Sequence, residues 1–133
     1  MVELDAGTGK AIPDAPVHHL ATHPDAPYAV EGPSIVHHGG YSYLFASYDA
    51  CCAGVNSTYG IRVGRSTSVT GPYADSEGRS MLDRGGDLLL AGHGRYVGPA
   101  GESTFHYYDA DDDGTPKLGL NEFRWRAGWP VFK

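Results

Sequence analysis

Residues 41–48 read Tyr41-Ser42-Tyr43-Leu44-Phe45-Ala46-Ser47-Tyr48. In a β-strand, successive side chains point to opposite faces, so each face of this stretch receives aromatic or aliphatic groups. Aromatic side chains are also favoured in strands. Because neither face is polar throughout, we predict a strand that is buried on both sides.

Short segments on either side of this stretch extend the same pattern. Gly39-Gly40, just before it, is typical of a hairpin turn. The chain contains 19 glycines and nine prolines, which argues against long helices. We predict further strands at residues 2–4, 34–37, 59–65, 88–90, 95–97, 104–108 and 118–125. The sequence therefore predicts an all-β fold: a sandwich, a barrel or propeller blades.

The bulk composition fits one domain and narrows the range of partners. The chain has 133 residues, of which 41% are hydrophobic, and a formal net charge of −6. Its 10 Lys and Arg residues are scattered, so no positive field attracts nucleic acid or anionic lipid. No apolar run approaches the ~20 residues that span a bilayer, and the acidic start shows no secretory signal. We expect no nucleic-acid or membrane partner and assign no localisation.

Several motifs together resemble glycoside hydrolase family 43, specifically its endo-1,5-α-L-arabinanases. The most specific are Ala29-Val30-Glu31-Gly32-Pro33-Ser34-Ile35-Val36 and Ser47-Tyr48-Asp49-Ala50-Cys51-Cys52. The likeness continues through residues 56–59, 63–66, 70–73, 94–99 and 106–110, in the order of the family. It covers nearly the whole chain.

The resemblance implies a five-bladed β-propeller with its active site at the central axis. The chain is expected to form the third, fourth and part of the fifth blades, with residues 1–33 as a loop-rich opening segment. Residues 34–72 would form the blade that carries the acid motif, and residues 73–133 the following blade or blades. Such a partial propeller of two to three blades exposes apolar faces, which copies of the chain are expected to cover by self-association. A smaller, repacked closed sheet is the alternative.

The resemblance also implies an inverting mechanism with a general base, a second aspartate that tunes the acid, and a general acid. The acid motif Glu-x-Pro maps onto Glu31-Gly32-Pro33, so Glu31 is the expected general acid; the alternative is a solvated glutamate before a turn. The base and the tuning aspartate have no motif in this chain. Asp49 and Asp25 are the nearest candidates for a second carboxylate.

A loop after the central strand supplies the expected substrate contacts. Cys51, Cys52, Asn56 and Ser57 resemble a loop that faces the substrate cleft in the arabinanases, and Tyr48 precedes it. The amide of Asn56 and the hydroxyl of Ser57 suit hydrogen bonds to sugar hydroxyls. Both side chains equally suit the satisfaction of a turn. The adjacent cysteines are expected to be thiols in a core or pocket, since neighbours pair only in a strained ring.

No metal site or cofactor is expected. Residues 109–114 open like a calcium loop, but Leu120 stands at the twelfth position, where such a loop needs a bidentate glutamate. An acidic hairpin turn fits this segment better. The pairs His18-His19 and His37-His38 lack further ligands at metal spacing and are expected at the surface. The histidine with which many family members help hold a central ion, after Gly98-Pro99, is replaced by Ala100-Gly101-Glu102.

Two hypotheses follow for function. In the first, the protein is an arabinan endo-1,5-α-L-arabinosidase that hydrolyses α-1,5-linked arabinan with inversion, using Glu31 as the acid. In the second, it is a catalytically inactive propeller fragment that binds arabino-oligosaccharides or only self-associates. The family motifs favour hydrolysis, whereas the absence of an assignable base favours the second hypothesis.

Overall fold

The computed structural model describes residues 1–25, 28–50, 52–53, 56–90, 102–109, 112 and 115–132. Seven strands form two antiparallel sheets, and no α-helix occurs in these ranges. The first sheet has the order β1 (Ala29–His38), β2 (Tyr41–Asp49), β3 (Gly60–Ser66) and β4 (Asp87–Leu90). The second has the order β5 (Glu102–Asp109), β6 (Thr115–Arg126) and β7 (Trp129–Phe132). The predicted all-β class is confirmed.

The strand predictions hold in the middle of the chain and fail at three places. β1 begins at Ala29, five residues before the predicted start at Ser34, and β7 was not predicted. Residues 2–4 form no strand and contribute only an isolated bridge between Leu4 and Ala11. The predicted strand at residues 95–97 lies outside the described residues.

The part of the chain that is described contains no helix long and apolar enough to cross a membrane.

The hairpin between β1 and β2 has the expected turn. Gly39 and Gly40 both have positive φ values, 57° and 81°. A two-residue turn of this kind matches the right-handed twist of the flanking strands and requires positive φ at both positions. The turn sets the register His38 opposite Tyr41, which continues without interruption to Ser34 opposite Phe45.

β2 is buried on both faces, as predicted, because a different layer covers each face. All residues from Ser42 to Tyr48 are buried. On one face, Tyr43 and Phe45 join Ile61, Val63 and Phe123 in one core cluster. On the other face, the second cluster consists of Leu44, Ala46, Tyr48, Tyr73 and Met81.

Aromatic contacts join the two sheets. Phe45 lies 5.8 Å from Phe123 between ring centroids, and Tyr43 lies 4.6 Å from Trp125. The Tyr43 hydroxyl donates a hydrogen bond to the carbonyl oxygen of Gly128, in the turn between β6 and β7. Such aromatic pairs add about 0.5–1.5 kcal/mol each beyond their burial. The second sheet is thus fixed to the face of β2 that carries Tyr43 and Phe45.

The segment after β3 covers the opposite face and is anchored by one carboxylate, Asp75. Its Oδ1 accepts hydrogen bonds from the backbone N–H groups of Glu77 (3.1 Å) and Arg79 (2.8 Å). Its Oδ2 accepts from Arg79 Nε (3.0 Å) and from the backbone N–H of Gly86 (3.2 Å). Burial alone would raise the pKa of Asp75, but the hydrogen bonds and the charge of Arg79 together lower it. The ionised form therefore stabilises the fold.

We expect Asp75→Asn to lower the free energy of unfolding by roughly 3 kcal/mol at neutral pH, since its NH₂ group cannot accept the bonds that Oδ2 accepts. Because the pKa of Asp75 is lower in the folded protein, the stabilisation is complete above the unfolded pKa of about 3.9 and is lost at lower pH. Urea denaturation between pH 7 and pH 3 should show the wild type converging on the variant. Asp83→Asn, an exposed control in the same segment, should change little. A constant difference at all pH values would contradict the prediction.

Phe123→Ala should lower the free energy of unfolding by about 3–5 kcal/mol, because it leaves a cavity between the two sheets. Phe123 is 6% exposed, whereas Val131, on the neighbouring strand β7, is 39% exposed. The matched control Val131→Ala should therefore cost less than about 1 kcal/mol. Equal losses for the two variants in urea denaturation would show that the sheets are not held together at Phe123.

Candidate functional site

A β-bulge in β1 places Glu31. Glu31 pairs with Ser47, and the next paired residue of β1 is Ser34, opposite Phe45. Gly32 and Pro33 therefore face the single residue Ala46 of β2, which is the arrangement of a β-bulge. Gly32 has a φ of +57°, a conformation that favours glycine,. β1 is an edge strand, where a proline without an N–H group is tolerated,.

Glu31 is exposed, whereas its strand neighbours Val30 and Gly32 are partly buried. The described residues offer Glu31 no hydrogen bond or ion pair. Bulges often re-aim a side chain beside an active site. Glu31 is therefore an exposed carboxyl group on an edge strand, without a polar partner among the described residues.

Glu31 lines an open, largely apolar concavity of about 690 Å³, which we call the Glu31 concavity. Its wall combines the N-terminal segment with β1 and β2: Met1, Val2, Leu4, Val17, His18, His19, Leu20, Ala21, Val30, Pro33, Ile35, Leu44 and Ala46. Among these described lining residues, Glu31 is the one carboxylate. Neither Asp49 nor Asp25 contributes to this wall.

Asp49 and Asp25 instead line a second concavity, of about 540 Å³, which we call the His23 pocket. It lies where β2 ends and β3 begins, against the segment that precedes β1. Its wall consists of Thr22, His23, Pro24, Asp25, Tyr28, Tyr48, Asp49, Thr58, Arg62, Arg84 and Gly85. The predicted acid and the two candidates for the second carboxylate thus line different concavities.

His23 is held in one orientation by two hydrogen bonds. Its Nε2 lies 2.9 Å from Asp49 Oδ1, and its Nδ1 accepts a hydrogen bond of 3.0 Å from the backbone N–H of Asp25. Because Nδ1 is the acceptor, the neutral ring carries its proton on Nε2 and donates it to Asp49. The ring also packs against Tyr28 and Tyr48, at centroid distances of 5.1 Å and 6.1 Å. These contacts fix the segment before β1 to the end of β2.

The backbone of Asp49 explains why its carboxylate lies in this pocket. Neighbouring residues of a regular strand point to opposite faces, yet both Tyr48 and Asp49 line the His23 pocket. Asp49 has a φ of +79°, outside the strand region. Aspartate tolerates such a conformation better than most residues. The positive φ turns the carboxylate toward His23.

The Tyr48 hydroxyl is buried and has no hydrogen-bond partner among the residues that the structure describes. Tyr48 is 3% exposed. Burial, with a smaller contribution from the charge of Asp49, raises the pKa of Tyr48 to about 12, although the charge of Arg62 opposes the shift. The Arg62 guanidinium lies 5.4 Å from the centroid of the Tyr48 ring, and its Nε atom is likewise buried, with no partner in the described part of the chain.

Of the loop residues predicted to contact the substrate, the structure describes only some. Cys51 lies outside the described residues, while Cys52 and Asn56 are exposed. Ser57 is buried, and its Oγ accepts a hydrogen bond of 3.0 Å from the backbone N–H of Ala53. Ser57 therefore helps to close the loop, as expected of a turn residue. Substrate binding by these residues stays a prediction.

The other polar clusters singled out in the sequence form no metal site among the described residues, where no group of three or more His, Cys, Asp or Glu side chains could hold an ion. His37, His38 and His19 are exposed, whereas His18 is partly buried. The ring of His38 stacks on Trp125, with centroids 4.0 Å apart. Of the acidic hairpin, Asp112 forms an ion pair of 2.9 Å with Lys117.

Sequence reasoning missed four residues of the His23 pocket. His23, Tyr28, Arg62 and Arg84 lie on three separate segments, and no spacing connects them. Arg84 is held across 59 positions by Asp25, at 3.3 Å. One signal was available in the sequence: Arg62 is a charged residue between two apolar residues, Ile61 and Val63, which are both buried.

Comparison with known proteins gives consistent results. The model of the family described as Glycosyl hydrolases family 43 matches residues 1–130. The chain is 42% identical to Extracellular endo-alpha-(1->5)-L-arabinanase 1 of Bacillus subtilis, over 99% of this chain and 42% of that protein. It is also 42% identical to Extracellular exo-alpha-(1->5)-L-arabinofuranosidase ArbA of Cellvibrio japonicus, over 76% of this chain and 32% of that protein.

Comparison with solved structures points to the same family of proteins. An α-L-arabinanase of Cellvibrio cellulosa complexed with arabinohexaose superposes with a TM-score of 0.85 at 33% identity, covering 98% of this chain and 48% of that one. An endo-arabinanase of Bacillus licheniformis gives 0.84 at 42% identity, covering 98% and 47%. The chain therefore spans less than half the length of these relatives.

Proposed function

The chain belongs to glycosyl hydrolase family 43, and from this premise we propose that it acts in the hydrolysis of α-1,5-linked arabinan with Glu31 as the general acid. The named relatives act on this type of linkage. The observation that supports the assignment of Glu31 is its exposed position on the edge strand β1, directly before the bulge at Gly32-Pro33.

The proposed chemistry is that of an inverting glycosidase. Glu31, in its protonated form, donates its proton to the departing glycosidic oxygen as the bond to the anomeric carbon breaks. A second carboxylate removes a proton from a water molecule that attacks the opposite face of the sugar. The two carboxyl groups must stand about 6.5–9.5 Å apart to leave room for this water. The proposal assigns no step to a metal or cofactor.

The second carboxylate comes from outside the described wall of the Glu31 concavity. Asp49 and Asp25 are already engaged, by His23 and Arg84 respectively, in the other pocket. We therefore assign neither of them the role of base. The base is a carboxylate that another segment or another copy brings to Glu31.

We also propose that the two sheets are blades of a propeller. The strands of each sheet are antiparallel neighbours in chain order, as in a propeller blade,. The two sheets pack face to face through aromatic side chains of β2 and β6. In this arrangement, β1 is the innermost strand, so Glu31 faces the axis. The substrate is then an arabinan chain or arabino-oligosaccharide that enters along that axis.

Copies of the chain associate, we propose, through the Glu31 concavity. Its rim exposes large apolar side chains, with Val17 65% exposed, Leu4 54% and Met1 41%. Contiguous apolar surface of this kind is usually an interaction site. Association here would cover the apolar wall and bring a second surface up to Glu31.

At micromolar concentration, light scattering coupled to size exclusion should give at least twice the monomer mass of 14.2 kDa. Val17→Asp should shift the protein to the monomer, because it places a charge in the covered apolar wall. Leu120→Asp is the matched control, since Leu120 is 64% exposed but lies on β6, away from the concavity. A wild type that is monomeric throughout would overturn the proposed association.

Glu31→Gln should lower the release of reducing sugar from linear 1,5-arabinan by at least about 100-fold, since the amide of glutamine cannot act as a general acid. Glu77→Gln, which changes an exposed glutamate in the segment after β3, is the control and should retain wild-type activity. Circular dichroism and thermal unfolding should be the same for all three proteins. Equal activity of Glu31→Gln and wild type would refute the role of Glu31. A chain that releases no sugar at all would refute hydrolysis by this chain.

A further inference from the structure

We infer that a groove between the edge strands β4 and β7 is a second saccharide site, in which Asp87 binds hydroxyl groups of one neutral sugar and Trp129 packs on its ring. The groove has a volume of about 390 Å³, within the range of small-molecule sites,. We call it the Asp87 groove, and its wall includes Val63, Ser76, Asp87, Leu88, Trp129 and Val131.

The Asp87 groove is separate from the two concavities described above. None of its lining residues lines the Glu31 concavity or the His23 pocket. The inference therefore goes beyond the proposed function. Only the choice of arabinose as the bound sugar rests on that function.

The groove lies where the two sheets end. β4 is the last strand of the first sheet and β7 the last strand of the second, and both contribute to its wall together with Val63 of β3. Val63 is 1% exposed, whereas Leu88 is 58% exposed and Val131 39%. The groove therefore runs from the core to the surface, and apolar side chains of its wall are accessible to a ligand.

The carboxylate of Asp87 is held in one orientation. Its Oδ2 accepts a hydrogen bond from the backbone N–H of Ser76, and its Oδ1 accepts one from the Ser76 hydroxyl, both at 2.9 Å. Each oxygen of an ionised carboxylate has two lone pairs, so each keeps one for a ligand. Asp87 is only partly buried. Two acceptor positions on one fixed carboxylate match two neighbouring hydroxyls of a sugar, and such hydrogen bonds are charge-assisted.

Trp129 supplies the aromatic surface of the site. Its indole is held by the Arg65 guanidinium, 4.6 Å from the ring centroid, and by a T-shaped contact of 5.9 Å with Tyr43. The side chain also lines the Asp87 groove and stays partly exposed. The C–H face of a sugar ring packs on an apolar aromatic surface while its hydroxyls reach polar groups nearby. Trp129 and Asp87 together provide both kinds of contact.

The charges around the groove favour a neutral ligand. Asp87 is the one charged side chain among the described lining residues, and it forms no ion pair with a described Lys, Arg or His. It therefore repels carboxylates and phosphates. A cation packed on Trp129 would meet the positive charge of Arg65, which already interacts with that ring,. A neutral polyhydroxylated ring meets neither repulsion.

Nuclear magnetic resonance of the ¹⁵N-labelled full chain tests this site with arabinotriose as the probe. Glu31→Gln is the parent, so that the probe stays intact during the titration. The chain has two tryptophans, so the indole N–H signal of Trp129 can be followed individually. We expect this signal and the amide signals of Ser76, Leu88 and Val131 to shift with saturation.

Asp87→Asn should weaken this binding about tenfold, because neutral hydrogen bonds replace charge-assisted ones. The asparagine Oδ1 can still accept the bond from the Ser76 N–H, so the fold is retained. Leu88→Ser, at an exposed position, should weaken binding about threefold through the loss of apolar contact. Asp83→Asn, which changes an exposed aspartate in the segment before β4, is the matched control and should bind arabinotriose like the parent.

Three results would overturn the inference. They are no shift of the groove signals, equal affinity of Asp87→Asn and the parent, or shifts of the same signals by n-butylammonium at lower concentration than by arabinotriose. The first means that no sugar enters the groove, the second that Asp87 does not bind it, and the third that the groove is a cation site. Sugar release from arabinan by the wild type and Glu31→Gln, measured separately, decides the proposed function whichever result is obtained.

Discussion

The burial of β2 on both faces is the constraint on which the rest of the structure depends. A strand whose two faces are apolar needs a layer on each side, and here the second sheet and the segment after β3 supply them. Because a register slip of one residue would exchange the two faces, β2 has one pairing with β1. That pairing fixes Ser47 opposite Glu31 and Tyr48 opposite Val30.

Two distortions of regular strand geometry then place the polar groups. The bulge at Gly32-Pro33 directly follows Glu31, which is exposed on the edge of the sheet and lines the Glu31 concavity. The positive φ of Asp49, at the end of β2, turns its carboxylate toward His23 in the other pocket. A positive φ at a residue other than glycine, such as Asp49, costs roughly 1–3 kcal/mol and persists where the surroundings hold it in place. β2, covered on both sides, provides that support.

The strongest strand could be predicted from its sequence because its pattern is local. The early part of β1 could not, because Gly32-Pro33 is typical of a turn and only the pairing with β2 shows that a bulge accommodates it. β7 was missed for a related reason: it has four residues and contains Pro130, which an edge strand tolerates,. A motif singled out Glu31, and its role as the acid stays a prediction. The His23 pocket could not, because His23 and Asp49 stand 26 positions apart and meet only through the fold.

Native-state hydrogen exchange of the backbone amides tests most directly the claim that β2 unites the two cores. If β2 joins both sheets, the amides of β2 and β3 and those around Phe123 in β6 should exchange only through global unfolding, with one common free energy. The free energy of exchange should also decrease with denaturant concentration at the same slope for all of these amides. Exchange around Phe123 through a separate opening of much lower free energy, with β2 still protected, would contradict the account, because the two sheets would then be independent.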